Sequence, residues 1–401
     1  MLDLEEAQKR ILAVIQPLGS EAVPLQAAVG RILAARIPAP LDLPPFDNSA
    51  MDGYAVRAAD VAEAGPRRPV SLRQIGTVTA GAFFQGTVEP GTCVRIFTGS
   101  PMPAGADAVV MQEDTRVNPA HPKEVDFLDK VDPWENVRLK GEDVKKGTVL
   151  GEAGEILGVG KVSLLASSGL TEVLAGRRPV VGLLATGSEL REGGQTLAPG
   201  QIYESNRVAL AALLDRLGAV PRSFPLVKDT LHDTRSALET AFAECDAVVS
   251  SGGVSVGEWD FVKKAFQEMG GELDFWKVAI KPGKPFVFGR WRDKFLFGLP
   301  GNPVSAMVTF LLLVRPAILR FQGARHLALP AHPGVLIAPI VNVGDRRHFV
   351  RVTVNGRAEV RLSGVQASHI LSSLAEANGL VDVPAQTTLP AGSPIQVLRW
   401  E

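Results

Sequence analysis

The sequence has few cysteines and none of the motifs in which cysteine and histidine bind metals. Among its 401 residues there are two cysteines, Cys93 and Cys245, which lie far apart and outside any CxxC pair. This scarcity argues against a disulfide framework or a thiolate metal site, and it suits a reducing compartment. The six histidines are scattered and none forms HExxH, so a zinc protease has no support.

Long apolar runs and an excess of one charge are also missing. Residues 1–10 are charged and contain no apolar core of a secretory signal, so we expect a cytoplasmic protein. The longest apolar run, residues 304–314, is much shorter than the roughly 20 residues that a membrane span requires, and it predicts a buried helix. The formal net charge is −1, which gives no global attraction to nucleic acid or to an anionic membrane. Any electrostatic recognition must therefore be local.

Two common nucleotide-binding motifs are absent as well. No GxGxxG follows the predicted strand at residues 180–185, and the glycine-rich stretch 252–257 lacks the GK[ST] ending of a P-loop. Residues 154–161 come close to a P-loop, but their spacing is wrong and Val162 stands where Ser or Thr is required. A dehydrogenase or a P-loop kinase is therefore disfavoured.

What the sequence does contain predicts several domains. A chain of 401 residues usually divides into domains of roughly 100 to 200 residues. Short β-branched runs separated by Gly and Pro turns predict a small β-rich domain in residues 56–137. From residue 178 apolar strands alternate with amphipathic helices, which is typical of a parallel sheet with helices on its faces. Short runs rich in Val, Thr and Pro after residue 327 favour a small β-barrel.

The loops that follow the predicted α/β strands carry the polar motifs, and ligands of open α/β sheets bind there. Four of these loops combine glycine with hydroxyl or lysine side chains: 186–189, 250–257, 281–285 and 299–305. Glycine lets backbone N–H groups approach an oxyanion, and Asn302 followed by Pro303 predicts an N-cap and a helix start. Each loop alone could be an ordinary turn. Four together favour a pocket for a small, anionic, phosphate-bearing substrate.

Local positive charge supports this hypothesis. Residues 277–294 contain six basic side chains and one acid. Lys281 and Lys284 flank a Pro-Gly turn, so we expect both ammonium groups to be held toward one place. Arg290 and Arg292 are more simply explained as a solvated strand face.

Carboxylates in neighbouring loops could hold magnesium. Glu189, Asp229 and Asp260 each lie close after a strand or beside a glycine turn. Because Mg²⁺ is usually bound by one or two carboxylates together with substrate phosphates, no dense cluster is required. Asp229 and Asp260 could instead cap the helices that follow them, and the two roles can coexist.

These loops and several other long segments resemble the molybdopterin molybdenumtransferase family, which includes the bacterial MoeA proteins and the E domain of gephyrin. The similar segments lie in the same order along nearly the whole chain, at residues 46–55, 96–103, 105–110, 141–143, 202–207, 250–257, 277–285 and 299–305. The resemblance implies an α/β multidomain protein with a three-layer, MoaB/MogA-like substrate domain. The implied domains are an elongated linking and dimerisation domain (1–26 and 140–176), an inserted β-rich domain (27–139), an α/β molybdopterin-binding domain (177–326) and a C-terminal β-barrel (327–401).

The resemblance also implies an activity and a set of site residues. The implied enzyme is a molybdopterin molybdotransferase of molybdenum cofactor biosynthesis: it inserts molybdenum from molybdate into adenylylated molybdopterin and releases AMP, with Mg²⁺ as cofactor. Its cleft lies between the α/β domain of one subunit and the β-rich domain of the other in a homodimer. The positions carried over as catalytic are Asp52, Thr98, Asp143, Glu189, Asp229, Asp260, Lys277 and Lys281, with Asp229 and Asp260 also as metal ligands. The substrate- and anion-binding positions are Ser251, Gly252, Gly253, Ser255, Pro282, Gly283, Lys284, Pro300, Gly301, Asn302, Pro303 and Ser305.

Two other functions stay open at this point. A molybdopterin adenylyltransferase would consume ATP without molybdate, and a non-catalytic dimeric scaffold of the gephyrin type would need a long partner-binding extension. Other proteins of molybdenum cofactor biosynthesis are further candidate partners, whereas nucleic acid and membranes are not expected. In the barrel, Arg346, Arg347 and Arg351 could line the entrance of the cleft, but solvated surface residues are the favoured interpretation. The same interpretation applies to Ser368 and Ser372.

Overall fold

The computed structural model describes residues 1–117, 119–253 and 261–400. The chain forms two compact units. The first comprises Met1–Ala35, Ala153–Gly158 and Glu172–Glu401, and the second comprises Arg36–Glu152 and Val159–Thr171. This division is coarser than the four predicted domains, whose boundaries stay a prediction.

One mixed six-stranded sheet, here called the α/β sheet, forms the centre of the first unit. Its strands in spatial order are Val220–Ser223, Val180–Ala185, Ala247–Ser251, Lys294–Leu299, Pro285–Trp291 and Glu272–Lys277. The first four are parallel, and each of the last two is antiparallel to its neighbour. The central strands are nearly continuous apolar runs, as expected where both faces of a sheet are covered. The carboxyl ends of the parallel strands meet at one edge, where Thr186, Gly252 and Pro300 follow.

Helices cover both faces of the α/β sheet, which confirms the predicted three layers. Neighbouring residues of one strand alternate between two apolar cores, because Leu183 packs into one and Leu184 into the other. The helices of this region are Leu4–Val14, Asn206–Arg216 and Pro303–Phe321 on one side, and Leu231–Glu244 and Phe261–Glu268 on the other.

The predicted buried helix extends from Pro303 to Phe321 and contains a π-helical turn at Phe310–Val314. Its 19 residues and mean hydropathy of 1.7 would allow it to cross a membrane by length and composition alone, but 83% of its most apolar window is buried inside the protein. Those side chains therefore serve the core of the first unit. The helix is longer than the apolar run 304–314 because Arg315 interrupts the run without ending the helix. Its guanidinium donates to the Leu327 carbonyl at 2.9 Å.

A closed five-stranded barrel forms the C-terminal part of the first unit, as predicted. Its strands, in order around the barrel, are Arg347–Val354, Glu359–Leu362, Ala331–Leu336, Pro394–Leu398 and Gly379–Val383, and the last pairs again with the first. Buried Val and Leu side chains fill its interior. The short strand Ile280–Lys281 runs parallel to the first barrel strand and places Lys281 opposite His348. The barrel is thus joined by backbone hydrogen bonds to the loop that carries the paired lysines.

The second unit contains another six-stranded sheet, in agreement with the predicted β-rich domain. Its strands in spatial order are Ala108–Met111, Gly53–Val56, Thr92–Ile96, Val70–Val78, Glu124–Phe127 and Thr115–Val117. Cys93 is buried in its core and Cys245 is buried in the first unit, and both are free thiols. Burial raises the pKa of Cys93 to about 12 and that of Cys245 to about 11, so neither is a thiolate at neutral pH.

Short elements complete the described residues. The two-stranded ladders are Ser20–Pro24 with Glu172–Gly176, Ile37–Pro38 with Val149–Gly151, Asn48–Ser49 with Val137–Arg138, Leu190–Arg191 with Ile202–Tyr203, and Ile340–Asn342 with Thr387–Leu389. The remaining helices are Val159–Ser167 and Leu371–Ala375, and the 3₁₀ turns are Leu25–Ala27, Ala58–Asp60 and Gln112–Asp114.

Candidate functional site

One cleft of about 880 Å³ opens at the carboxyl edge of the α/β sheet, entirely within the first unit. It brings together most of the site residues predicted from the four loop motifs and from the neighbouring carboxylates: Glu189, Asp229, Gly252, Gly253, Lys281, Pro282, Gly283, Lys284, Pro300, Gly301, Asn302 and Ser305. Thr186 and Gly187 from the first loop also line it. Loops that are far apart in sequence therefore form one concave surface, as expected for an open α/β sheet.

The turn that carries Lys281 and Lys284 is fixed from three sides. Gly283 has a φ of +108°, and a Cβ there would lie 2.4 Å from Cγ2 of Thr309 on the buried helix, so only glycine fits this close approach. The Lys284 carbonyl accepts from the Val278 N–H at 3.1 Å, and Lys281 belongs to the short strand paired with the barrel. Both lysine side chains are exposed and both residues line the cleft. Two lysine residues are thus carried on one fixed turn at the surface of the cleft.

The glycines of the neighbouring loops allow their backbones to touch. Gly252 has a φ of +87°, and a Cβ there would lie 2.5 Å from the Thr186 carbonyl oxygen. Its N–H donates to the Leu299 carbonyl at 3.1 Å. Asn206 joins two of the loops, because its Nδ2 donates to Ser251 Oγ at 2.6 Å and to the Gly301 carbonyl at 2.8 Å. Ser251 is buried behind the cleft, so it supports the cleft without lining it.

Two of the three candidate metal ligands, Glu189 and Asp229, line the cleft. Asp229 Oδ2 accepts from the Ser188 N–H at 2.8 Å, and the Asp229 N–H donates to Ser188 Oγ at 3.3 Å. The alternative that Asp229 caps the next helix is wrong, because Thr230 is the N-cap and its side chain accepts from the Asp233 N–H. Asp260, the third candidate, and Ser255 lie outside the described residues. Within the described residues no group of three His, Cys, Asp or Glu side chains is placed to hold a metal.

The barrel supplies a wall of the cleft that the sequence analysis considered only for Arg346 and Ser368 and did not favour. Its lining residues are Arg346 and residues 365–369, namely Val365, Gln366, Ala367, Ser368 and His369. Asn302 occupies the predicted N-cap position before Pro303, but its side chain does not cap the helix. Instead its Nδ2 donates to Ser368 Oγ at 3.1 Å. The side-chain cap was therefore a wrong expectation, since this amide joins the α/β region to the barrel.

The interpretation of the three barrel arginines as solvated is wrong. Arg346 lines the cleft and donates to the Ile280 carbonyl at 2.9 Å. Arg347 forms ion pairs with Asp382 and Glu5, and Arg351 is fully buried. Of the two barrel serines, Ser368 lines the cleft and Ser372 does not. No local pattern distinguished a position at the cleft from a solvated one for these residues, because their positions depend on barrel closure and on the pairing with Ile280–Lys281.

His348 is buried beside Lys281, so its protonation state affects the positive charge of this wall. Burial lowers its pKa to about 4, and the nearby charges of Lys281, Arg351 and Arg346 act in the same direction. The imidazole is therefore neutral at neutral pH. The cationic groups at the surface of the cleft are Lys281, Lys284 and Arg346.

Other members of the basic stretch lie away from the cleft. Lys277 ends its strand, where its carbonyl accepts from the Leu2 N–H at 3.1 Å, and it does not line the cleft. Arg290 forms an ion pair with Glu272, and Arg292 lies in the hairpin turn at a φ of +58°. Their predicted solvated role is confirmed, because both are exposed. Pro303 begins the buried helix and lines a separate, smaller pocket.

Three predicted residues, Asp52, Thr98 and Asp143, lie in the second unit and not at the cleft. Asp52 Oδ1 accepts from both the N–H and the Oγ1 of Thr98, each at 2.8 Å. These bonds, together with the charge of Arg95, lower the pKa of Asp52. Asp143 is exposed, and its N–H donates to the Leu43 carbonyl at 3.0 Å. Asp52 and Thr98 thus form a preorganised pair, to which Asp143 has no direct bond among the described residues.

Comparison with known proteins covers the whole chain. Three family models match it: "MoeA N-terminal region (domain I and II)" at residues 2–169, "Probable molybdopterin binding domain" at 182–320, and "MoeA C-terminal region (domain IV)" at 333–400. A molybdopterin molybdenumtransferase of Haemophilus influenzae is 40% identical over 94% of this chain and 93% of its own length. Molybdopterin molybdenumtransferase 2 of Mycobacterium tuberculosis is 37% identical over 100% of both chains. The crystal structure of a molybdopterin biosynthesis MoeA protein from Pyrococcus horikoshii matches with a TM-score of 0.85 and 31% identity over 100% of both chains.

Proposed function

The chain belongs to the molybdopterin molybdenumtransferase family, a family of transferases in molybdenum cofactor biosynthesis, and we propose that its cleft binds adenylylated molybdopterin and molybdate. In the proposed reaction, the two dithiolene sulfurs replace oxygen ligands of molybdate, which leave as water or hydroxide, and water cleaves the adenylyl pyrophosphate bond to release AMP. The observation that carries the proposal is the meeting of Lys281, Lys284 and Arg346 with several glycine loops in one cleft. Such a surface suits a ligand that carries several negative charges.

Molybdate is a tetrahedral dianion, which proteins can hold as they hold sulfate or phosphate. Lys281 and Lys284 supply compact point charges, and Arg346 supplies a planar fork of donors from the barrel side. The backbone of Gly283 and of residues 302–305 adds polar groups at close range. These groups stabilise charge that develops on the molybdate and phosphate oxygens during transfer, which is usually the largest catalytic contribution.

Magnesium fits the donor set on the carboxylate side of the cleft. Glu189 and Asp229 both line the cleft, and two carboxylates suffice when substrate phosphates complete the coordination. When bound there, the ion would neutralise charge on the adenylyl pyrophosphate. The Ser188 N–H donates to the Asp229 carboxylate, and Ser188 Oγ accepts from the Asp229 N–H. These two bonds hold the carboxylate in place before substrate binds.

We further propose that the active protein is a homodimer whose cleft is completed by the second unit of the partner. The support is the Asp52 and Thr98 pair, in which two hydrogen bonds hold a half-buried carboxylate in its ionised form. A preorganised carboxylate of this kind suits a role toward substrate, metal or water. A cytoplasmic location is also proposed, because both cysteines are free thiols.

The proposal is tested by incubating the purified chain with adenylylated molybdopterin and Mg²⁺, with and without molybdate, while AMP is quantified. We expect AMP release that depends on molybdate. A second reaction with molybdopterin and ATP distinguishes the adenylyltransferase, which would consume ATP without molybdate. Absence of AMP release in the complete reaction would contradict the proposal and favour a non-catalytic scaffold.

A further inference from the structure

Arg351 is a buried cation with an unusual set of partners. It lies on the barrel strand Arg347–Val354 and is fully buried. Within the described ranges, no carboxylate lies within ion-pair distance of its guanidinium, and Nη1 has no hydrogen-bond partner. Burial of a guanidinium without a carboxylate is costly, so apolar packing alone does not explain an arginine at this position.

The partners that Arg351 does have belong to one short segment, residues 363–373. Its Nη2 donates to the carbonyls of Val365 at 2.8 Å and Ala367 at 3.1 Å, and its Nε donates to Ser373 Oγ at 3.0 Å. The backbone of Arg351 takes part as well. Its N–H donates to Gln366 Oε1 at 2.9 Å, and its carbonyl accepts from Gln366 Nε2 at 3.0 Å.

This segment is the wall that the barrel contributes to the cleft. Residues 365–369 line the cleft. Ser368 Oγ accepts a hydrogen bond from Nδ2 of Asn302, which lines the cleft from the α/β region. The segment contains no strand or α-helix of its own between Leu362 and Leu371. Its conformation therefore depends on bonds within the segment and on bonds from its neighbours, of which Arg351 supplies three through its side chain.

The same barrel strand also meets the lysine turn. Three residues before Arg351, His348 lies opposite Lys281 in the parallel pairing, and Arg346 donates to the Ile280 carbonyl. One strand thus sets the register of the lysine turn at one end and holds residues 365–369 at the other. The lysine turn and the barrel wall of the cleft are therefore both anchored to the same barrel strand.

We propose that Arg351 is a positioning residue that fixes residues 365–369 as the barrel wall of the cleft, so that Ser368 faces the oxyanion held by Lys281 and Lys284. Arg351 does not line the cleft, and it acts through the carbonyls that it binds. The inference rests on the proposed function, because the oxyanion is taken to be molybdate. It gives the barrel a role in molybdate affinity.

The test compares Arg351→Met, which keeps the apolar length and loses every donor, with Arg351→Lys, which keeps the charge and has donors at a single nitrogen. Val352→Ala is the matched control, since Val352 is fully buried on the same strand in the barrel core and has no bond to residues 363–373. Each full-length variant is studied by hydrogen exchange and by the AMP-release assay at varied molybdate concentration.

We expect Arg351→Met to increase amide exchange in residues 363–369 and to raise the KM for molybdate about tenfold, with a smaller change in kcat. Arg351→Lys should lie between Arg351→Met and the wild type. Val352→Ala should lower Tm and leave the KM for molybdate unchanged. Wild-type exchange and KM in a folded Arg351→Met protein would overturn the proposal, and so would an equal rise in KM in Val352→Ala.

Failure of the proposed function would look different. In that case the wild-type protein itself would release no AMP, whereas the exchange of residues 363–369 would still report whether Arg351 positions them. An Arg351→Met variant that does not fold is replaced by Ser373→Ala, which removes the acceptor of the Arg351 Nε hydrogen bond. It is expected to increase amide exchange in residues 363–369, and wild-type exchange in this variant would overturn the proposal.

Discussion

Replacing Lys281 by alanine should impair the reaction far more than replacing a basic residue just outside the cleft. Lys281 lines the cleft on a turn fixed by Gly283 and by pairing with the barrel. Its ammonium group is exposed to solvent, so screening reduces its interaction with a dianion well below the value for a dry site. Removal of one preorganised charge from an oxyanion site costs about 2.7–4 kcal/mol in enzymes. The lower end of that range applies here, because water can partly replace the lost charge.

The assay is molybdate-dependent AMP release measured as kcat/KM for molybdate. We expect Lys281→Ala to lower it by roughly 100-fold. Arg290→Ala is the matched control, since Arg290 belongs to the same basic stretch but is exposed and paired with Glu272. It should stay within about twofold of the wild type because surface ion pairs contribute little. A Lys281→Ala enzyme within about threefold of the wild type, with an intact fold by circular dichroism, would refute the assignment of Lys281 to the oxyanion site.

Three further predictions test the fold, the charge of the cleft wall and the dimer. Gly283→Ala should destabilise the protein by about 1–3 kcal/mol and lower activity, because its Cβ would meet Thr309 at 2.4 Å. Gly392→Ala is the control, since Gly392 also has a positive φ but no atom lies within 4 Å of the added Cβ. Equal unfolding free energies for the two variants would contradict the prediction. The folded-state pKa of His348 lies below its usual value, at about 4, so its contribution to stability is complete above pH 6.5 and declines toward pH 4. In urea unfolding between pH 7 and 4.5, His348→Gln should therefore lose about 2 kcal/mol less than the wild type, while the exposed His332→Gln should follow the wild type. A mixture of inactive Asp52→Ala and Lys281→Ala chains, refolded together, should recover roughly a quarter of wild-type activity. Random pairing makes about half of the dimers mixed, and one of the two clefts in each mixed dimer is intact. No recovery would contradict the composite cleft.

The α/β region was predictable because its signals are local. Apolar strands, amphipathic helices and glycine loops follow one another along residues 178–321, and each signal depends on its own neighbours. The prediction was least accurate at element ends. The helix predicted from the apolar run 304–314 extends to Phe321, because Arg315 interrupts the run without ending the helix.

The barrel wall of the cleft was not predictable in the same way. Arg346 and residues 365–369 reach the cleft through barrel closure and through the pairing of Ile280–Lys281 with Arg347 and His348. These contacts join residues that are more than 60 positions apart, and a β-strand with alternating side chains gives no sign of them. For the same reason a buried arginine such as Arg351 was mistaken for a surface residue, since arginine is seldom fully buried.

The catalytic account of the cleft is tested most directly by measuring molybdenum insertion and AMP release in the same reaction. The purified protein is incubated with adenylylated molybdopterin, Mg²⁺ and molybdate, the pterin product is isolated, and its molybdenum is determined by mass spectrometry alongside AMP. The account predicts equal amounts of molybdenum in the product and of AMP released, and loss of both in Lys281→Ala. AMP release without molybdenum in the product, or molybdenum insertion that Lys281→Ala leaves unchanged, would contradict it.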